Sequence, residues 1–155
     1  MTDSTTHWKV RTSTIDEIHI TIQGSIETEP ERVLQEAESL LEFLISLLSD
    51  QNFKIVLMTL SIVNLVISLP HHLEAPSANP SDPEATRQYL SSASLGKHIP
   101  RLVGKLADSK NIIRQQAIRA LMGIYLIMRC QSYYASIASS PNAALKGQKP
   151  GESAI

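Results

Sequence analysis

Most of the residues that announce a chemistry are scarce in this chain. There is one cysteine, Cys130, in 155 residues, which excludes an internal disulfide and fits a reducing compartment. Its position reads as a small apolar filler near a helix end rather than a nucleophile. The six glycines are scattered and form no phosphate-cradling loop, and no serine or aspartate sits in a motif that positions a nucleophile. Among the five histidines, only His71 and His72 adjoin, without the Cys, Asp or Glu spacing of a metal site. These absences predict a protein that is not an enzyme and holds no cofactor or metal. A net charge of −1 gives no global basic character for nucleic acid. Met1 to Thr6 is polar and precedes no apolar run, so no signal peptide is expected. The longest apolar run, Ile55 to Leu69, has about 15 residues and contains Ser61 and Asn64. A membrane span needs roughly 20 residues, so this run reads as a central, covered helix. The 5% aromatic content suits a core built from leucine and isoleucine.

What is present is helical periodicity. Ile99 to Arg129 reads as two helices joined by the turn Asp108-Ser109-Lys110-Asn111, in which Asp and Ser can cap the second helix. The first helix carries Ile99, Leu102, Val103 and Leu106 on one face; the second carries Ile113, Ala117, Ile118, Leu121 and Ile124. A helix pair with one apolar side needs copies stacked alongside it, and copies exist. Val10, Thr14, Ile15, Ile18 and Ile22 match Ile55, Thr59, Leu60, Val63 and Ile67 at a constant offset of 45. That set matches Ile113, Ala117, Ile118, Leu121 and Tyr125 at a constant offset of 58. The first offset lies within the roughly 40–47 residues of a HEAT-type repeat. The second is lengthened by a Pro- and Ser-rich insert, about His71 to Asp82, which reads as a mobile loop.

In chain order, Met1 to His7 is expected to fray and Trp8 to about Gln23 to form the first helix, broken at Gly24 to Ile26. Thr28-Glu29-Pro30-Glu31 has the form of a capping box with Thr28 as the cap. The helix it opens runs to about Leu48, with Val33, Ala37, Leu40, Leu41, Leu44 and Leu47 inward. Ser49 to Asn52 turns the chain into a helix from Phe53 to Leu69, ended by Pro70. Another helix is expected from Pro83 to about Ser92, and the last one to run to about Ile137. Residues 139–155 lack a core stripe and read as a disordered tail. The fold class is therefore all-α: a short HEAT-type α–α superhelix of about two and a half repeats in residues 1–138. No polar cap opens the stack, so the expectation is a fragment or a subunit that docks onto something.

Charge is segregated along the chain. Residues 1–50 hold three cations (Lys9, Arg11, Arg32) against ten carboxylates, whereas residues 97–129 hold seven cations against Asp108 alone. A basic end suggests an acidic partner, although solvated helix faces give the same statistic. In a HEAT solenoid the turns within successive repeats stack along one edge. Here that ridge would present Trp8 and Lys9, then Asn52, Phe53 and Lys54, then Ser109, Lys110 and Asn111. An aromatic anchor beside lysines suits an acidic protein surface. The alternative is that the aromatics are the first core residues of their helices, which is the better reading for Phe53 and stays open for Trp8.

The segment WKVRTSTIDEI resembles the opening of a TOG domain, the HEAT-repeat tubulin-binding module of the CLASP, crescerin and microtubule-polymerase families. LLSDQNFKIVLMTLSIV resembles its second repeat and IPRLVGKLADSKNIIRQQAIRAL its third, closer in flavour to the CLASP and crescerin groups. By that resemblance Trp8, Lys9, Asn52, Phe53, Lys54, Ser109, Lys110 and Asn111 map onto loops that face αβ-tubulin or the microtubule. Arg114 matches an arginine after the third loop, for contact or for pairing with Asp108. The resemblance implies a non-catalytic cytoskeletal regulator in the cytoplasm, including cilium or centrosome. It covers roughly residues 8–130; a TOG domain has more repeats, and His7 stands where an acidic residue is common. Rival readings are a HEAT-like scaffold that packs on another protein or on further HEAT repeats, a membrane protein built on Ile55 to Leu69, and nucleic-acid binding by 97–129. Neither membrane nor nucleic acid is the expected partner.

Overall fold

The computed structural model describes residues 4–73 and 90–139. Among them all regular structure is helical: α1 (Ser4–Thr28), α2 (Pro30–Gln35), α3 (Ala37–Ser46), α4 (Phe53–Leu73), α5 (Ser92–Gly96), α6 (Ile99–Gly104) and α7 (Asn111–Ala138). Single 3₁₀ turns at Leu47–Ser49 and Lys105–Ala107 close α3 and α6. The long helix α4 lies between α1 and α7, while α2 and α3 pack on α4, and α5 and α6 on α7, as a second layer. This is the two-layer stacking of a HEAT-type α–α superhelix.

Burial follows the stacking. Ile55, Val56, Leu60, Ile62, Val63, Val66 and Ile67 of α4 are all buried, because helices cover it on several sides. Among the described side chains α1 buries Ile15 and Ile22, and α7 buries Ile113, Ala117, Ala120, Ile124 and Ile127. Leu41, Leu44, Leu48, Leu95 and Leu102 fill the space between the layers. Polar bonds fasten the repeats to each other. Asn64 Nδ2 of α4 donates to the backbone oxygen and Oε1 of Gln116 on α7, at 3.2 and 2.8 Å. Gln131 of α7 donates to Leu90 O and accepts from Ser92 Oγ, fixing the entry to α5. Glu38 Oε1 of α3 accepts from the backbone N–H and hydroxyl of Ser91, and Lys97 pairs with Glu42 at 3.5 Å.

Several boundaries differ from expectation. α1 begins by Ser4, ahead of the expected Trp8, and continues through Gly24, so Trp8 and Lys9 lie inside the helix rather than in a turn at its start. The break falls at Glu29 (φ −139°, ψ 59°) because Pro30 disfavours α geometry in the residue before it. Thr28 is therefore no cap: it ends α1, and its hydroxyl donates back to Gly24 O at 3.0 Å. A turn at Glu36 divides the next helix and shifts its phase, which brings Leu34, Ile45 and Leu48 inward and leaves Leu40 and Leu47 half-buried. Pro70 does not end α4, whose backbone continues to Leu73; that includes His71 and His72, placed above in the insert. The helix thus has 21 residues, and Phe53 to Pro70 is long and apolar enough to cross a membrane. Its length does not exclude that; what makes it a core helix is the covering by α1, α3 and α7. Val103, Leu106 and Ile118 face outward rather than into the core. The rest of the insert, the start of the Pro83–Ser92 helix and the tail beyond Ser139 lie outside the described residues.

Candidate functional site: the edge formed by the inter-helix turns

The two turns are built alike. Each follows a 3₁₀ turn and begins with an extended aspartate, Asp50 (φ −64°, ψ 143°) and Asp108 (φ −62°, ψ 142°), offset by the same 58 residues as the helices. Asp50 Oδ1 accepts from Asn52 N at 2.8 Å, and Asp108 Oδ1 accepts from Lys110 N at 2.9 Å. A carboxylate bonding the amide two residues on makes each an Asx turn, the reason aspartate serves here. Asp108 is accordingly a turn former and not the helix cap that its place suggested.

The helices that follow start differently. The backbone oxygen of Asn52 takes the first α4 bond from Val56 N, and its Oδ1 accepts from Lys54 N at 3.0 Å, a capping arrangement. At α7 the same place is taken by Lys110, which has no side-chain acceptor. Arg114 holds that turn instead, donating to Asp108 O at 2.7 Å, Ser109 O at 3.1 Å and Asn111 Oδ1 at 3.3 Å. Of the two roles open to Arg114, the structure shows a turn-holding one, directed at backbone oxygens rather than at the Asp108 carboxylate.

Contacts between repeats bring the segments together. Arg11 of α1 pairs with the Asp50 carboxylate, which is nearly buried, and so ties the start of α1 to the first turn. Lys110 Nζ lies 4.6 Å from the ring centroid of Phe53, within cation–π range, and so ties the second turn to the first. Lys9 Nζ lies 5.9 Å from the Trp8 ring. Trp8 is 38% exposed and Phe53 44% exposed. The expectation of Phe53 as a core residue therefore fails: its ring lies on the edge, under a lysine from the next repeat. Lys54, Ser109 and Asn111 are exposed and Asn52 is half-buried. The edge can offer two aromatic faces and several ammonium groups to an acidic surface. The pairing of Lys110 with Phe53 had no local signal, since 57 residues separate them in sequence.

No metal-holding group of three or more His, Cys, Asp or Glu occurs among the described residues. A shallow groove lies away from this edge, between the end of α1 and α2, lined by Ile22, Ser25, Thr28, Arg32, Val33 and Leu40. The Glu29–Arg32 ion pair is at its rim. No family model, curated protein or solved structure matches the chain.

Proposed function

We propose that this chain is a non-catalytic cytoskeletal protein that binds αβ-tubulin or microtubules through the edge carrying Trp8, Lys9, Asn52, Phe53, Lys54, Ser109, Lys110 and Asn111. The observation that supports it most is the Lys110–Phe53 contact, which makes one continuous surface of two turns far apart in sequence. Exposed aromatics supply area that binding can desolvate, and the lysines steer an acidic partner. The TOG-like motifs supply the identity of that partner, and a cytoplasmic, cytoskeletal location goes with it.

The test is size-exclusion chromatography of the protein with soluble αβ-tubulin at low salt, beside the Lys54→Ala/Lys110→Ala variant. Both lysines are exposed, and loss of the Lys110–Phe53 contact should cost only about 0.5–1 kcal/mol of stability. Co-elution is expected for the natural chain, with affinity at least about tenfold weaker in the variant. Absence of co-elution from a well-folded natural chain refutes the reading. A HEAT-like scaffold that does not bind tubulin would then stand in its place, a reading favoured by the open apolar face of α7.

A further inference from the structure

We propose that the open face of α7 receives α1 of a second copy of this chain, so that molecules associate head to tail. The argument is one of register. α7 meets α4 through Gln116 and Gly123, which lie against Asn64 and Ile67. Advancing the α4 pair by the repeat offset of 58 reaches Met122 and Tyr125 on α7, which are 61% and 59% exposed. These two residues stand where α4 presents its covered face, and among the described residues no helix covers them.

The other end of the stack holds the matching half. Moving Gln116 and Gly123 back by 58 gives Met58 and Leu65 on α4, both half-buried. A further step of 45 gives Ser13 and Ile20 on α1, and Ile20 is 70% exposed. Val10, also exposed, is in register with Ile55 and Ile113, which are both buried. α4 uses both of its faces, whereas α1 and α7 each leave open the face the other lacks.

Charge selects head-to-tail over tail-to-tail pairing. α7 carries Arg114, Arg119 and Arg129 and no carboxylate, so two α7 faces repel. From Thr12 to Thr28, α1 carries Asp16, Glu17 and Glu27 and no lysine or arginine. Glu17 is in register with the apolar Ile62 and Ala120 and gives this end a carboxylate for an arginine-bearing face. Such an interface joins two different surfaces, so association continues into chains rather than stopping at a dimer.

The experiment is sedimentation velocity of the full chain, without tubulin, over about a hundredfold range of protein concentration. The natural chain should sediment faster as concentration rises, less so at high salt. Ile20→Lys and Met122→Glu change exposed residues, each placing on its face a charge of the sign the opposing face already carries, and should each remain monomeric with unchanged helicity. Their equimolar mixture should form dimers and go no further, since one variant keeps the tail and the other the head. If either substitution lowers helicity, Val10→Ser or Tyr125→Ser takes its place. The proposal is overturned by a natural chain that is monomeric throughout, by a mixture that stays monomeric, or by Ile20→Lys associating as the natural chain does.

Discussion

Replacing Gly123 with alanine should force α4 and α7 apart, and the structure sets the scale of the effect. A β-carbon on Gly123 would lie 2.5 Å from Ile67 Cγ2, where ordinary contact begins at about 3.4 Å. Ile67 is buried, and a β-branched side chain in a helix has one strongly preferred rotamer, so the methyl group has nowhere to retreat. Overpacking of this kind costs about 1–3 kcal/mol, against a gain of about 1 kcal/mol from placing alanine rather than glycine in a helix. The net expectation is a loss of about 1 kcal/mol, or a Tm lower by roughly 2–4 °C for a chain of this length. Gly24 supplies the control. It is also inside a helix, but nothing lies within 4 Å of its would-be β-carbon, so Gly24→Ala should stabilise by about 0.5–1 kcal/mol. Thermal melts and urea titrations of both variants measure the difference. Ile67→Ala should cost less in the Gly123→Ala background than in the natural chain, with a coupling of at least about 1 kcal/mol. A Gly123→Ala variant as stable as Gly24→Ala would refute the close approach of the two helices, and with it the register used above.

Two further tests address polar groups. His98 is 5% exposed, and among the described residues its Nε2 has no hydrogen-bond partner. Burial first, then the charge of Lys97, holds its pKa below the ordinary 6.5. The folded state therefore binds fewer protons than the unfolded one at acid pH: stability is complete above about 6.5 and declines as pH falls through that value. Urea titrations at stepped pH should show this slope in the natural chain and not in His98→Gln; equal slopes refute it. The Glu38 carboxylate is held below its ordinary 4.5 chiefly by the Ser91 backbone N–H, so the stability it contributes is present above 4.5 and lost in a lower, separate window. Arg114→Lys should destabilise by about 1–2 kcal/mol in a denaturant titration, since an ammonium cannot reach the three oxygens that the guanidinium bonds. A cost below a few tenths would show that the turn holds itself.

The positions of the two turns were legible because each carries its own local chemistry, Asp50 and Asn52 in the first and Asp108 in the second, although Asp108 bonds as a turn former where a helix cap is expected. The exposure of Phe53 was not legible. Its position at the head of an apolar run suggested a core residue, and only the next repeat reveals Lys110 above its ring. Trp8 is expected as the first residue of its helix and part of the first turn of the ridge, yet it lies inside α1, which the Arg11–Asp50 pair and the packing of Ile15 and Ile22 hold in helical form despite modest propensity.

The sequence by itself determined the class. Apolar residues recurring at helical spacing, and the same five-residue pattern at offsets of 45 and 58, require amphipathic helices that stack, because no single pair can bury its stripe. It also determined the turns, where the bonding is between neighbours. Tertiary structure alone decided which member of each stripe is covered. Leu60 and Ile118 hold the same register position, yet Leu60 is buried and Ile118 is exposed, because among the described residues α4 has a helix on either side and α7 does not. Burial belongs to the neighbour rather than to the residue, and a neighbour more than forty residues away leaves no mark on local periodicity.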